Sequence, residues 1–242
     1  MTRIYCIICL LITLTTAVSQ EGIEGTVDNY TSGEAEIYSG IKTPIKIGTI
    51  DENGTFQIPL DNTYKDQLIS SVDADNAKDS QWKTSLPNLE RSYGSCYNGE
   101  LDIKGGDQTM IALSQLGVFS VANFEEQKLY GKIMYASDLE FAKAIMSFGQ
   151  FKVKKGYQLD WYYFESEASV KGSCSLEFYP SGDETSFTQT SNYDLEFKPG
   201  WNLVKYEIEE VFTDESGKEY IMKDHSMVLD SLPDDVQIIF LE

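Results

Sequence analysis

The sequence is poor in the residues on which most catalytic and metal chemistry depends. It contains a single histidine, His225, between Asp224 and Ser226. Adjacent residues of a strand point to opposite faces, so these three neighbours cannot form a nucleophile–histidine–acid relay among themselves. No glycine-rich loop followed by Lys-Ser or Lys-Thr leads into a helix, which leaves nucleotide binding unsupported. The sequence therefore predicts no catalytic residue, no metal site and no cofactor.

Basic residues are also scarce. There are 19 Lys and Arg against 39 Asp and Glu, for a net charge of -20 and an isoelectric point near 4.3. Nucleic-acid and anionic-lipid surfaces both select clustered positive charge. The densest basic group here is Lys152, Lys154 and Lys155. Both partner classes are disfavoured. Solubility is the preferred explanation of the acidity, over a specific cationic partner.

Long apolar runs are missing beyond the first twenty residues. Arg3 is followed by the apolar run from Ile4 to Leu14, and Ala17-Val18-Ser19 places small residues where a signal peptidase reads. This pattern predicts a signal peptide over residues 1–19, cleaved near Ser19. The mature chain is then expected to be secreted, periplasmic or extracellular, without a transmembrane segment.

Cysteine is limited to four residues, and Cys6 and Cys9 lie inside the predicted leader. Cys96 and Cys174 remain in the mature chain. In an oxidising compartment one pair is compatible with a single disulfide. Two buried free thiols are the alternative, because pairing depends on geometry that a sequence does not supply.

Aromatic residues and glycine, in contrast, are plentiful: 15 Tyr, 12 Phe and 18 Gly. With few helical periodicities, this composition favours short strands and turns. The alternation of apolar and polar residues from Gly22 to Leu60 predicts a meander of strands, with a tight turn at Asp51-Glu52-Asn53-Gly54. The expected fold is all-β: an antiparallel β-sandwich of two immunoglobulin-like or transthyretin-like units with at most one or two short helices.

Two short motifs resemble a known family. Gly25-Thr26-Val27 and the segment from Gly48 to Phe56 are similar to the transthyretin-like or carboxypeptidase regulatory-like β-sandwich found at the N-terminus of secreted Gram-negative bacterial proteins. Ile50 stands where that family has Thr. The resemblance covers about forty residues, implies a non-catalytic sandwich module and carries over no active-site residues.

The predicted mature chain divides into two regions. Residues 20–105 form an N-terminal sandwich-like region whose second half, from Asp61, is expected to be irregular loops around short elements. Residues 106–242 form a C-terminal sandwich. Within the loops, Asp73, Asp75 and Asp79 raise the question of calcium, but Lys78 and Thr84 occupy the positions where an EF-hand loop needs Gly and Glu. A solvated acidic loop is the preferred interpretation.

The C-terminal region contains an internal repeat with an offset of 44 residues. Residues 154–165 align with residues 198–209, and Lys, Gly, Leu, Tyr and Glu coincide at five positions. Each copy is a Lys-x-Gly turn followed by a strand. Gly156-Tyr157 and Gly200-Trp201 are therefore predicted to occupy equivalent positions where the turn leads into the strand. Two hairpins, across 123–127 and 214–218, are also expected. Residues 138–148 fit either a helix capped by Ser137 and Glu140 or a strand, and the repeat pattern favours a strand.

One aromatic run is a candidate for ligand binding. Trp161 and Tyr163 share one face of a predicted strand, where flat rings can stack on a sugar or a partner. The alternative is a central strand whose two faces are both buried in the core. Glu165 and Glu167 would share a face if that strand continued, but 39 acidic residues generate many such pairs by chance.

Three functions remain open. The preferred hypothesis is a secreted, non-enzymatic β-sandwich protein that binds a glycan or protein partner at the cell surface. A small carbohydrate-active enzyme that uses two carboxylates is the alternative. A structural subunit that pairs by strand addition is the third. The sequence leaves the ligand and the oligomeric state undetermined.

Overall fold

A computed structural model describes residues 22–28, 30–40, 44–78, 81, 83–114, 117–180 and 186–242. The predicted signal peptide, its cleavage point, Cys6, Cys9 and Asp79 lie outside the described residues. Within them the fold is all-β, with few helices, as the composition predicts. The strands are β1 Gly22–Thr26, β2 Ala35–Ser39, β3 Ile45–Ile50, β4 Thr55–Pro59, β5 Asn98–Lys104, β6 Ile111–Ala112, β7 Val118–Asn123, β8 Lys128–Ala136, β9 Gly156–Phe164, β10 Ala168–Phe178, β11 Phe187–Phe197, β12 Gly200–Thr213, β13 Glu219–Leu229 and β14 Gln237–Leu241.

The described strands join one mixed sheet in the order β1-β4-β3-β2-β7-β8-β9-β12-β13-β11-β10-β5. β14 pairs with β8, and β6 pairs with β9, beside this path. The pairs are antiparallel except β11 with β13, which run parallel. Strands from the two predicted regions pair with one another, as β2 does with β7 and β5 does with β10. The division at residue 105 stays a prediction.

The sheet packs onto itself to form its main core. Phe56 of β4 meets Tyr135 of β8 with ring centroids 6.3 Å apart, and Tyr30 meets Phe240 of β14 edge to face at 5.3 Å. The side chains between these layers include Ile37 and Trp161, both almost fully buried. Two smaller clusters lie on the other face of the central strands, around Phe164 and around Ile208.

The motifs that resemble the transthyretin-like family lie on β1, β3 and β4. The predicted turn at Asp51 joins β3 to β4, and the Asp51 carboxylate accepts the backbone N–H groups of Asn53 and Thr55, each at 2.9 Å. Gly54 adopts a φ of 79°, which glycine tolerates without strain. These contacts explain the turn locally. Membership of the family stays a prediction.

Three helices complete the described fold: α1 Thr63–Ala77, α2 Leu89–Tyr93 and α3 Leu139–Met146. The prediction of irregular loops from Asp61 is wrong for α1, a 15-residue helix that buries little besides Tyr64. Asp73 and Asp75 are exposed on this helix, where residues two apart do not face each other. No group of three or more candidate metal-binding side chains occurs among the described residues.

The preference for a strand over residues 138–148 is also wrong. These residues contain α3, which packs Phe141 and Ala142 against β8 and β14. The residue that caps the helix is Asp138, whose carboxylate accepts the Phe141 backbone N–H at 2.8 Å. Ser137, the predicted cap, instead accepts the Tyr157 backbone N–H at 3.2 Å. A helix with an N-terminal cap and one buried face was the other option that the sequence allowed.

Candidate functional site

The two copies of the repeat form neighbouring strands, β9 and β12. Gly156 opens β9 with a φ of 144°, and Gly200 opens β12 with a φ of 97°. Both values lie in the region that favours glycine, as the Lys-x-Gly pattern predicts. Leu159 and Leu203 are both buried in the main core. Each copy of the repeat therefore forms the start of one strand in the middle of the sheet.

The aromatic residues that follow Gly156 and Gly200 have different surroundings. Tyr157 is 5% exposed and belongs to the main core. Trp201 is half-buried and lies at the margin of that core. Its ring meets Tyr163 of β9 edge to face, with centroids 5.5 Å apart, and its indole N–H donates to the Asp61 carbonyl at 3.2 Å. Trp201 thus joins the start of β12 to the segment before α1.

A cleft of about 600 Å³ opens beside this tryptophan, within the usual size range of small-ligand sites. We call it the Trp201 cleft. It is lined by Leu60, Asp61, Asn62, Tyr163, Lys198, Pro199, Gly200, Trp201, Asn202, Leu203, Val228, Leu229 and Asp230. It combines two aromatic rings with amide, ammonium and carboxylate groups.

The floor of the Trp201 cleft is held in place by Asn202. This side chain is 5% exposed, donates to the carbonyls of Lys198 and Gly200 at 2.8 and 2.9 Å, and accepts the Lys198 backbone N–H at 2.8 Å. These bonds close the Lys198–Gly200 turn around a buried amide. The turn that presents Trp201 is therefore rigidly defined by the side chain next to it.

The lining of the Trp201 cleft carries charges of both signs: two carboxylates, Asp61 and Asp230, and one ammonium, Lys198. Lys198 Nζ lies 3.1 Å from Asp230 Oδ1 across the rim, and both side chains are largely exposed, at 75% and 93%. Lys65 of α1 lies 4.9 Å from the centre of the Tyr163 ring. The Asp61 carboxylate accepts the Thr63 backbone N–H at 2.8 Å, at the start of α1. Polar groups of both signs therefore surround the two rings.

The two predicted ligand-binding residues, Trp161 and Tyr163, lie in different surroundings in the structure. Trp161 is 1% exposed and packs against Tyr135 and Phe119 in the main core. Its indole has no face open to a ligand, so the prediction of Trp161 as a binding platform is corrected to a core role. Tyr163 lines the Trp201 cleft. β9 ends at Phe164, so the condition under which Glu165 and Glu167 would share a strand face is not met.

Sequence reasoning missed most of the cleft. It treated Trp201 only as the equivalent of Tyr157 in the repeat, and it gave no role in ligand binding to Asp61, Asn62 or Asp230. The repeat carries a signal for Lys198, since the first lysine of each Lys-x-Gly turn is exposed. It carries none for Trp201, because the equivalent Tyr157 is buried. No sequence signal places Asp61 beside that turn, since the contact crosses 140 residues.

Two carboxyl groups are buried elsewhere in the sheet. Burial raises the pKa of Asp160 to about 7, although the Trp161 backbone N–H and Ser114 favour its charged form. Burial also raises the pKa of Asp224, whose carboxylate accepts a hydrogen bond from Ser191 Oγ at 2.9 Å. Asp160 faces Val204, and Asp224 faces Ile208 one strand further on. That register separates them by roughly 13 Å along the strands and about 10 Å across them, too far for a paired-carboxylate mechanism.

The single histidine lies in the middle of β13. His225 Nδ1 is 3.5 Å from Glu209 Oε1, and its side chain is half-buried. Asp224 and Ser226 are buried and alternate with it along the strand. This alternation agrees with the argument that the three neighbours form no relay.

A larger groove, of about 800 Å³, crosses the outer surface of β1–β4. Its charged lining residues are Lys46 and five carboxylates, Glu24, Glu34, Glu36, Asp51 and Glu125. Its one aromatic lining residue, Phe56, is 2% exposed and belongs to the core. This groove offers no open ring, so the Trp201 cleft is the better candidate for a ligand site.

Cys96 and Cys174 form a disulfide with Cα atoms 5.4 Å apart, which bears out the pairing as one of the two alternatives. It links the segment before β5 to β10. Among the described residues, no helix is both long and apolar enough to span a membrane. Comparisons with protein-family models, with curated proteins and with solved structures find no match to this chain.

Proposed function

We propose that this protein is an exported, non-enzymatic β-sandwich protein that binds a neutral glycan in the Trp201 cleft. The observation that carries the proposal is the pairing of Trp201 with Tyr163 at the edge of an open cleft. Aromatic rings supply the apolar contact that the faces of sugar rings need. The groups around them donate and accept hydrogen bonds, as sugar hydroxyls require.

Charge supports a neutral glycan over an anionic one. The chain carries a net charge of -20, so a polyanionic polysaccharide would be repelled as it approached. Lys198 is already paired with Asp230, and Lys65 lies over the Tyr163 ring. With two carboxylates and one paired ammonium in its lining, the cleft suits a ligand with many hydroxyl groups and no negative charge.

Export is part of the proposal and is supported by two observations. The leader pattern at residues 1–19 predicts a signal peptide. The disulfide between Cys96 and Cys174 is typical of proteins from oxidising compartments.

A carbohydrate-active enzyme is the second candidate, because Asp61 and Asp230 both line the cleft. Each carboxylate has a structural partner: Asp61 accepts the Thr63 N–H, and Asp230 pairs with Lys198. Binding is therefore favoured over hydrolysis. The variants Asp61→Asn and Asp230→Asn discriminate the two, since a glycosidase would lose turnover in at least one of them.

The proposed binding is tested by screening the purified chain on an array of neutral and anionic glycans, followed by titration of the best neutral ligand. Trp201→Ala should abolish saturable binding. The double variant Lys198→Ala/Asp230→Ala should weaken binding several-fold without unfolding, because both side chains are exposed. Lys104→Ala/Asp102→Ala removes a comparable exposed ion pair on β5 and serves as the matched control. Equal effects of the two double variants, or no saturable glycan binding, would reject the proposal.

A further inference from the structure

The last strand, β14, leaves one side of its backbone open. Its five residues pair with β8, from Gln237 opposite Ala136 to Leu241 opposite Lys132. On its other side, β14 has no strand partner among the described residues. An open strand side presents unpaired N–H and C=O groups and is a template for another strand.

The sequence of β14 lacks the features that normally protect such a side. Gln-Ile-Ile-Phe-Leu contains no charge, proline or glycine. The strands at the two ends of the sheet order are better protected. β5 carries Glu100, Asp102 and Lys104, whereas β1 contains Glu24, whose carbonyl accepts a hydrogen bond from the Tyr135 hydroxyl at 3.3 Å. An unprotected apolar side is retained where a partner strand covers it.

A groove of about 520 Å³ runs beside β14, and we call it the β14 groove. Four residues of the strand, from Gln237 to Phe240, line it together with Thr26, Asp28, Leu139, Val236 and Glu242. Ile238 and Phe240 are half-buried, and Leu139 is 42% exposed, so apolar surface is available in the groove. The β14 groove therefore lies beside the strand whose backbone is unpaired on one side.

Charge identifies the class of occupant. The two charged residues in the lining, Asp28 and Glu242, are both carboxylates. A second copy of this chain would bring like charges together and carries the same net charge of -20. We infer that the β14 groove accepts an extended segment of a partner protein, in which apolar residues alternate with Lys or Arg, as an added strand paired with β14.

The inference is independent of glycan binding, because the β14 groove and the Trp201 cleft share no lining residue. Two ten-residue probe peptides test it: one alternates Val with Lys, and the other alternates Val with Glu. The Lys peptide should bind saturably and slow amide hydrogen exchange over Gln237–Leu241. The Glu peptide should not bind.

Charge reversal separates specific pairing from general attraction to an acidic protein. Asp28→Lys/Glu242→Lys should weaken binding of the Lys peptide by roughly tenfold, since rim charges contribute modestly each. Glu100→Lys/Asp102→Lys makes an equal change of charge on β5 and should leave the affinity within about twofold. Equal losses in both variants, unchanged exchange over β14, or a dimer of the chain in native mass spectra would overturn the inference.

Discussion

Asp160 and Val204 face each other across the β9–β12 ladder, and they are also equivalent positions of the internal repeat. The two copies are therefore related by a local twofold axis that passes between these residues. Gly156 lies opposite Ile208, and Gly200 lies opposite Phe164, as that symmetry requires. One copy places a carboxyl group at the axis and the other an isopropyl group, so Asp160 has no acidic counterpart across the axis.

This buried acid makes stability depend on pH. The folded pKa of Asp160, about 7, is raised above its unfolded value, so the native state holds the proton more tightly. Stability should therefore fall as pH rises from about 4 to 7, by roughly 4 kcal/mol if this group acted alone. Asp160→Asn should flatten that dependence and raise the free energy of unfolding at pH 8. Urea denaturation of both proteins from pH 4 to 8 measures the effect, and parallel curves would contradict it.

The repeat also supplies a matched comparison of two side-chain amides. Asn202 and Gln158 are equivalent, but Asn202 bonds the backbone of its own turn, whereas Gln158 Oε1 has no hydrogen-bond partner among the described residues. Asn202→Ala should lower the free energy of unfolding by about 2–4 kcal/mol, because it leaves buried backbone groups without hydrogen-bond partners. Gln158→Ala should cost clearly less. The free energies of unfolding from chemical denaturation decide this, and equal losses would show that the turn does not depend on Asn202.

The features that the sequence predicted well are those that depend on neighbouring residues. The hairpin turns at 51–54 and 214–218 follow from local chemistry: Asp214, like Asp51, accepts backbone N–H groups two and four residues ahead. The β7–β8 hairpin and the strand starts at Gly156 and Gly200 follow in the same way.

The features that the sequence missed depend on contacts between distant segments. α1 lacks an apolar stripe, so periodicity could not identify it. Whether Trp161 or Trp201 is open to solvent depends on which strands lie on each face, and alternation alone does not say. The Trp201 cleft exists because residues near Asp61 pack beside the start of β12, a pairing that no local motif encodes.

The disulfide should stabilise the attachment of β5, which lies at one end of the sheet order. Cys174 is opposite Gly99 in the β5–β10 ladder, and Cys96 lies just before that strand. The bond closes a loop with a sequence separation of 78, so Cys96→Ser/Cys174→Ser should cost about 2–4 kcal/mol. Amide exchange over β5 should also accelerate. Reductant should destabilise the wild type and leave the double variant unchanged; a wild type insensitive to reductant would contradict the prediction.

Trp201 should contribute to folding as well as to ligand binding. Its ring contacts Tyr163 and Tyr64, and its indole N–H bonds the Asp61 carbonyl. Trp201→Ala should cost about 2–4 kcal/mol, below the ~3–5 kcal/mol typical of fully buried aromatics, because the ring is half-buried. Trp201→Phe keeps a ring but removes the N–H, and should cost about 1 kcal/mol. Chemical denaturation measures both variants. If Trp201→Ala unfolds at the wild-type midpoint, Trp201 contributes to the cleft surface and not to the stability of β12.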